Sequence, residues 1–143
     1  ETAQRRTGGA LRLATQEDLQ DLLRLHTAFR KDVSSEAFAQ AGGEPWLLAE
    51  VEEALLNNSQ RPPHLLVVAS GTSLLGYIYS TPEEWFGRVS LYIAELFVDA
   101  TGRRRGAASL LTASSLLLAS QHGVPCAHLC VGERQSGAAA LYT

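Results

Sequence analysis

Methionine is absent from all 143 residues, and Lys31 is the only lysine among twelve basic side chains. Neither absence names a function. An excess of positive charge is missing too. Twelve basic against fifteen acidic residues leave a net charge of −3, which argues against a globally basic nucleic-acid binder. Charged residues make up only 19% and apolar ones 45%, so the composition is not that of a disordered chain and suffices for a core. No apolar run approaches the roughly 18–20 residues of a membrane-spanning helix. The longest, near 65–69 and 116–119, have the length of a strand or part of a helix. No signal-peptide pattern opens the chain. These absences imply a cytoplasmic protein with no membrane partner and no nucleic-acid partner.

Cysteine is scarce as well: only Cys126 and Cys130 are present, with His128 between them in an apolar run. The run reads as a strand, which puts all three on one face. Residues four apart on a strand lie about 13 Å apart. A zinc site needs sulfur within about 2.3 Å of the metal, and a disulfide needs Cα atoms within about 7 Å of each other. Two buried free thiols and no metal are expected. The Asn57-Asn58-Ser59 sequon then occurs by chance.

What is present reads as alternating elements without repeats. Residues 11–14 form a short strand. Thr15 caps a helix, with Glu17 and Asp18 in its first turn and Leu19, Leu22, Leu23, His26 and Phe29 on one face. His26 on that stripe reads as a partly buried structural histidine or as a catalytic one. After Gly42-Gly43, Pro45 opens a second helix carrying Leu47, Leu48, Val51, Ala54 and Leu55. Residues 64–70 and 74–80 are β-rich runs joined at Gly71, a hairpin. Residues 81–88 read as a polar loop. Residues 90–98 form a strand apolar at nearly every position, so both faces should be covered, with Glu95 the exception. A helix with the stripe Ala107, Leu110, Leu111, Ser114, Leu117 and Leu118 ends at His122-Gly123, before the Cys126 strand and a last helix near Arg134 and Gln135. The order β-α-α-β-β-β-α-β-α is a mixed α/β architecture.

The most informative segment is the turn from Val98 through Asp99, Gly102, Arg103, Arg104, Arg105 and Gly106 into Ala107 and Ala108. A buried strand here runs into a helix start, where unpaired N–H groups and the dipole favour an anion. Small residues let a ligand approach the backbone, and three arginines add charge. The combination suits a pyrophosphate. A solvated basic helix start is the plainer alternative. The phosphate-binding lysine motif and the dinucleotide fingerprint are both absent.

This turn resembles the acyl-CoA-binding motif Q/R-x-x-G-x-G/A of the GNAT family of N-acetyltransferases, with Arg103, Gly106 and Ala108 at its defined positions. The strand Ala94-Glu95-Leu96-Phe97-Val98 resembles the family's fourth strand. Downstream, residues 135–142 are similar to its N-x-x-A-x-x-L-Y helix: Ala138, Leu141 and Tyr142 match, and Gln135 stands where Asn is usual. The resemblance runs from about Leu11 to the end. It implies a tail at 1–10 and one domain at 11–143. It also implies a mixed, mostly antiparallel twisted sheet flanked by helices, with splayed fourth and fifth strands. Two further family strands lack a counterpart, so the expectation is that the C-terminus is incomplete, or that another chain fills the open edge, as in a homodimer.

The implied activity is acetyl-CoA-dependent transfer of an acetyl group to a primary amine of a small molecule or peptide, directly within a ternary complex. A non-catalytic acyl-CoA-binding regulatory module on the same fold is the alternative. Arg103, Arg104, Arg105, Gly106, Ala107 and Ala108 would hold the pyrophosphate, and Gln135 takes the position of a further cofactor contact. Leu96, Phe97 and Val98 would offer backbone groups to the cofactor and the oxyanion. Glu95 is the candidate base, since burial raises a carboxylate's affinity for protons; an ion pair with Arg88 is the alternative. Tyr142 is the candidate acid, or else a core tyrosine. Glu83 and Glu84 would attract a cationic amine, and Trp85 and Phe86 would wall it, unless this stretch is only a solvated turn. The family's acceptor-shaping region falls around 38–46, whose sequence names no substrate.

Overall fold

The computed structural model describes residues 9–40, 44–59, 62–71, 73–100, 103 and 106–128, with the backbone alone at 30–40, 44–47 and 85. Five strands, β1 (Ala10–Leu13), β2 (Leu65–Ser70), β3 (Ser73–Trp85), β4 (Arg88–Val98) and β5 (Ala127–His128), form one sheet in the order β1-β2-β3-β4-β5. All neighbours are antiparallel except β4 and β5, which run parallel. Helices α1 (Leu19–Gln40) and α2 (Glu44–Leu56) separate β1 from β2, and α3 (Ala107–Gln121) is the crossover from β4 to β5. This is the mixed, mostly antiparallel sheet with flanking helices that the sequence implies. The divergence of the fourth and fifth strands and the last helix fall beyond His128, outside the described residues.

Each face of the sheet closes its own core. Leu22 and Leu25 of α1 and Val51, Ala54 and Leu55 of α2 pack with Leu65, Val67, Tyr77 and Phe97. On the other face Ala107, Leu111 and Ala119 of α3 pack with Leu66, Val68, Ile78, Leu91, Ile93 and Val98. Period-two alternation along β2 serves both layers, as burial on both faces requires. Gly76 lets β3 and β4 approach: a Cβ there would lie 2.6 Å from the Phe97 carbonyl oxygen.

Three expectations change. Residues 81–88 are not a loop. β3 and β4 pair out to Trp85↔Arg88, and Phe86-Gly87 makes the two-residue turn with φ of 51° and 78°. Pairing with β4 overrides the polar composition, and the positive φ values match the strand twist. The inward stripe of α3 is Ala107, Leu111, Ser115 and Ala119, while Leu117 is 61% exposed. Small residues at that spacing let the helix lie close to the sheet. Cys126 is exposed rather than buried, and its thiol points at the Val89 carbonyl. Cys130 is outside the described residues.

Local polar contacts fix where the elements begin. Arg12 grips the Asp18 carboxylate with two bonds of 2.7 and 2.8 Å, and the Thr15 N–H donates to the same group at 2.8 Å. The Arg12 hydrogen bond holds the Asp18 carboxyl below its usual range despite burial. Asp21 accepts from the Leu74 N–H (2.6 Å), and Arg24 reaches both the Leu74 carbonyl (3.3 Å) and Asp99 (3.5 Å), which seats α1 on β3 and on the turn after β4. Asn58, buried after α2, donates to the carbonyls of Ala14 (2.9 Å) and Leu65 (3.0 Å) and accepts from the Leu65 N–H (2.8 Å). It adds to the Ala14 N–H bond on the Leu65 carbonyl (3.2 Å) and supplies partners to the Leu65 N–H and the Ala14 carbonyl at that end. Asn58→Ala should lower unfolding free energy by about 3 kcal/mol, since buried backbone groups lose their partners. A urea melt checks this.

Candidate active site

The middle of β4 carries an irregularity on which the site depends. Tyr79 faces Glu95, but the next pair is Ser80 with Ile93, so Ala94 is an extra residue, a β-bulge. Strict alternation would put Ile93 and Glu95 on one face. The bulge turns Ile93 into the α3-side core and leaves Glu95 facing α1 and α2.

There Glu95 meets His26. The Oε1 of Glu95 lies 2.8 Å from His26 Nδ1 and accepts the Tyr77 hydroxyl at 2.8 Å. His26 Nδ1 is also 3.0 Å from the Tyr77 oxygen, and its Nε2 lies 2.9 Å from Glu50 Oε2 on α2. The Phe29 ring stacks beside the imidazole at 6.4 Å, and Tyr77 meets it edge-on at 6.2 Å. Burial pulls the His26 pKa down, but the hydrogen bonds and charges of Glu95 and Glu50 outweigh it, and the net shift is upward from 6.5.

Beside this cluster a cavity of about 140 Å³ opens between α1, α2 and the sheet. Glu50, Glu53 and Glu95 give it carboxylates, Tyr77 and Tyr79 give it aromatic walls, and His26 lies at its back. Burial pushes the Tyr79 phenol up, and Glu53, Glu95 and Glu50 push the same way, so it stays a neutral donor. A concave site with acid groups and π faces suits a small cation.

At its C-terminal end β4 leads to the glycine-arginine turn. Gly106 caps α3 with φ of 79°, a conformation that favours glycine, and the space its missing Cβ would point into is open. The first-turn amides of α3 have no partner within the helix, so small residues and open space here fit a pyrophosphate. Ala107 is buried against the sheet and belongs to the α3-side core, whereas Gly106 before it is exposed. Arg103 folds back: its Nε donates to the Val98 carbonyl at 3.0 Å and its guanidinium lies 5.7 Å from the Phe97 ring centre. Within β4, Phe97 is buried in the α1 and α2 core, while Leu96 packs partly buried on the opposite face.

β4 thus carries Glu95 and ends at Val98, whose carbonyl receives Arg103, ahead of the Gly106 cap of α3. Glu83, Glu84 and Phe86 lie on the outer half of the β3–β4 hairpin and are not among the cavity's lining residues. Glu83 instead lies 3.9 Å from His128 Nε2, whose Nδ1 is 2.8 Å from the Ser90 hydroxyl. Phe86 is 92% exposed at the hairpin tip. The Trp85 side chain and Arg104, Arg105, Gln135 and Tyr142 fall outside what is described. Sequence reading missed Glu50, Glu53, Tyr77 and Tyr79. Their signal was there: Tyr77 and Tyr79 share one face of β3, and Glu50 and Glu53 flank the buried Val51 and Ala54. Among the described residues no group of three His, Cys, Asp or Glu side chains is placed to hold a metal, and no helix is long and apolar enough to cross a membrane.

A histidine whose pKa is raised on folding binds its proton more tightly in the folded state. Its stabilisation is full below the unfolded value near 6.5 and is lost as pH rises through the higher folded value. The stability gap between wild type and His26→Gln should therefore be widest near about pH 6 and narrow toward about pH 9. Urea midpoints across that range measure it.

Comparison with known proteins agrees with this layout. No curated protein matches the sequence. Solved structures with the same fold include the aminoglycoside N-acetyltransferase AAC(6')-Iy in complex with CoA, at 14% identity and a TM-score of 0.73 over 94% of this chain and 84% of that one. A possible acetyltransferase from Clostridium difficile 630 gives 21% identity and 0.74 over 94% and 86%. The ribosomal-protein-alanine N-acetyltransferase from Brucella melitensis biovar Abortus 2308 gives 15% and 0.71 over 94% and 87%. The acetyltransferase (GNAT) family profile matches residues 19–143, from the start of α1 through the glycine-arginine turn to the end, and the chain belongs to that family.

Proposed function

We propose that the protein is an acetyl-CoA-dependent N-acetyltransferase that acetylates a primary amine of a small cationic molecule or peptide by direct transfer within a ternary complex. One observation carries the reading. A single strand, β4, presents Glu95 to an acidic, aromatic cavity and ends at an open glycine-capped helix start. Acetyl-CoA, when bound, supplies the activated acyl thioester. The amides of Gly106, Ala107 and Ala108 hold its pyrophosphate, aided by Arg104 and Arg105, and the strand segment Leu96–Val98 lies alongside. The acceptor's ammonium enters between Glu50, Glu53 and Glu95, with Tyr77 and Tyr79 against its apolar part. An ammonium cannot attack a carbonyl, so a proton must leave first, and Glu95 is the carboxylate placed to receive it. Tyr142 holds a proton at its phenol oxygen for the departing sulfur; its part rests on the sequence motif, as does that of Gln135. The similar aminoglycoside N-acetyltransferase has been captured with the bisubstrate analogue CoA-S-monomethyl-acetylneamine, which supports a small amine acceptor.

A second reading, an acyl-CoA-binding regulatory module, is favoured by the contacts that already occupy Glu95 Oε1 and by the fold-back of Arg103. Thiol release with acetyl-CoA and a panel of amines separates the two. Release with cationic amines is expected; stabilisation by acetyl-CoA without release from any amine selects the module. Glu95→Gln should lower kcat about 10²-fold or more while keeping stabilisation by acetyl-CoA. Gly106→Ala, which strains the cap and puts a methyl toward the open space, should weaken acetyl-CoA stabilisation and leave the amine KM near wild type.

A further inference from the structure

We propose that His26 is a positioning residue for this reaction: as an imidazolium donating from both ring nitrogens, it fixes Glu95 of β4 and Glu50 of α2 on the cavity wall where the acceptor amine is received. The inference rests on reading the cavity as the acceptor site.

Counting donors gives the charge state. Tyr77 has one hydroxyl proton, and it points to Glu95 Oε1. Toward His26 the Tyr77 oxygen can then only accept, as can Glu95, so Nδ1 carries a proton. On the other side Nε2 faces Glu50 Oε2 at 2.9 Å, and a carboxylate only accepts, so Nε2 carries one too. A neutral ring has a single N–H and would set the lone pair of its other nitrogen against a carboxylate oxygen at 2.8 or 2.9 Å. Among the described residues the titratable groups that touch the ring are Glu50 of α2, Tyr77 of β3 and Glu95 of β4, with Glu53 of α2 and Tyr79 of β3 on the same cavity wall.

Burial assigns the roles. The His26 side chain is 7% exposed, against 12% for Glu95 and 33% for Glu50. An incoming amine meets the carboxylates first, and the imidazole lies behind them. The ring spans α1 to α2 and α1 to β4, so it sets the orientation of two groups on different elements with one charge. Misplacing a group that must take a proton from the amine by about 1 Å costs on the order of 10²-fold in rate.

The test uses two amide variants and a measurement on the wild type. Asn places its amide nitrogen near the position of Nδ1, and Gln places it near that of Nε2. His26→Gln keeps the Glu50 contact and should lower kcat about 100-fold, whereas His26→Asn keeps the Glu95 contact and should stay within about tenfold of wild type. The KM for acetyl-CoA should not move, because the ring nitrogens of His26 meet Glu50, Glu95 and Tyr77 and not the Gly106 turn. In wild-type protein without cofactor, ¹⁵N NMR should find two ring protons on His26 at neutral pH. Its titration midpoint should fall in both Glu50→Gln and Glu95→Gln. The wild-type kcat should decline with rising pH at that same midpoint, and His26→Asn should lack this decline. A neutral ring at neutral pH overturns the proposal without any variant. So does a folded His26→Gln with wild-type kcat, in which case the acetyltransferase reading stands. A wild type that releases no thiol with any amine overturns both.

Discussion

The extra residue at Ala94 is the constraint on which the rest of the molecule turns. β4 has to fill two cores, one under α3 and one under α1 and α2, and unbroken alternation would commit its polar residue to the same face as Ile93. One bulge separates them. Ile93 and Leu91 then complete the α3 layer, while Glu95 and Phe97 complete the other. The carboxylate reaches His26 and Tyr77 only because of this change of phase. A buried acid without those donors would be expensive, and a buried histidine between two carboxylates would have no counterpart to hold.

Much of this was legible in the residues. The two-layer core follows from strands apolar on both faces and helices apolar on one. The passage from a buried strand to a helix start announces itself through glycine and alanine set among arginines. Glu95 stands out as the one acid in an apolar run. What stayed hidden depends on register and distance. No residue type marks Ala94 as the bulged position. His26 and Tyr77 are 51 residues apart, and only the packed sheet brings them to 3.0 Å. The outer half of the hairpin was misread because its side chains are polar, although its backbone pairs with β4. The stripe of α3 was misread because Leu drew attention away from Ser115 and Ala119, whose small size is what the close helix-sheet contact needs.

The geometry also separates two kinds of contact that the composition blurs. Arg103 and Ala107 sit in a turn that reads as an anion site, yet one folds back on its own strand and the other serves the core. Their fixed conformations shape the turn around the exposed Gly106. At the cavity the order is reversed: Glu50, Glu53 and Glu95 line it with their side chains, and the β4 backbone behind Glu95 is spent on the ladder.

Arg24 gives this arrangement a mechanical property. Its guanidinium bridges Asp21 of its own helix, the Leu74 carbonyl and Asp99, and the carbonyl of Asp99 in turn receives the Arg103 N–H at 3.1 Å. His26 stands two residues further along the same helix. The first turns of α1 are thus bolted at one end to the loop that follows β4 and at the other to the cavity wall. One short stretch of helix therefore sets the height of both ends on the sheet, and a change at Arg24 would be felt in the position of each.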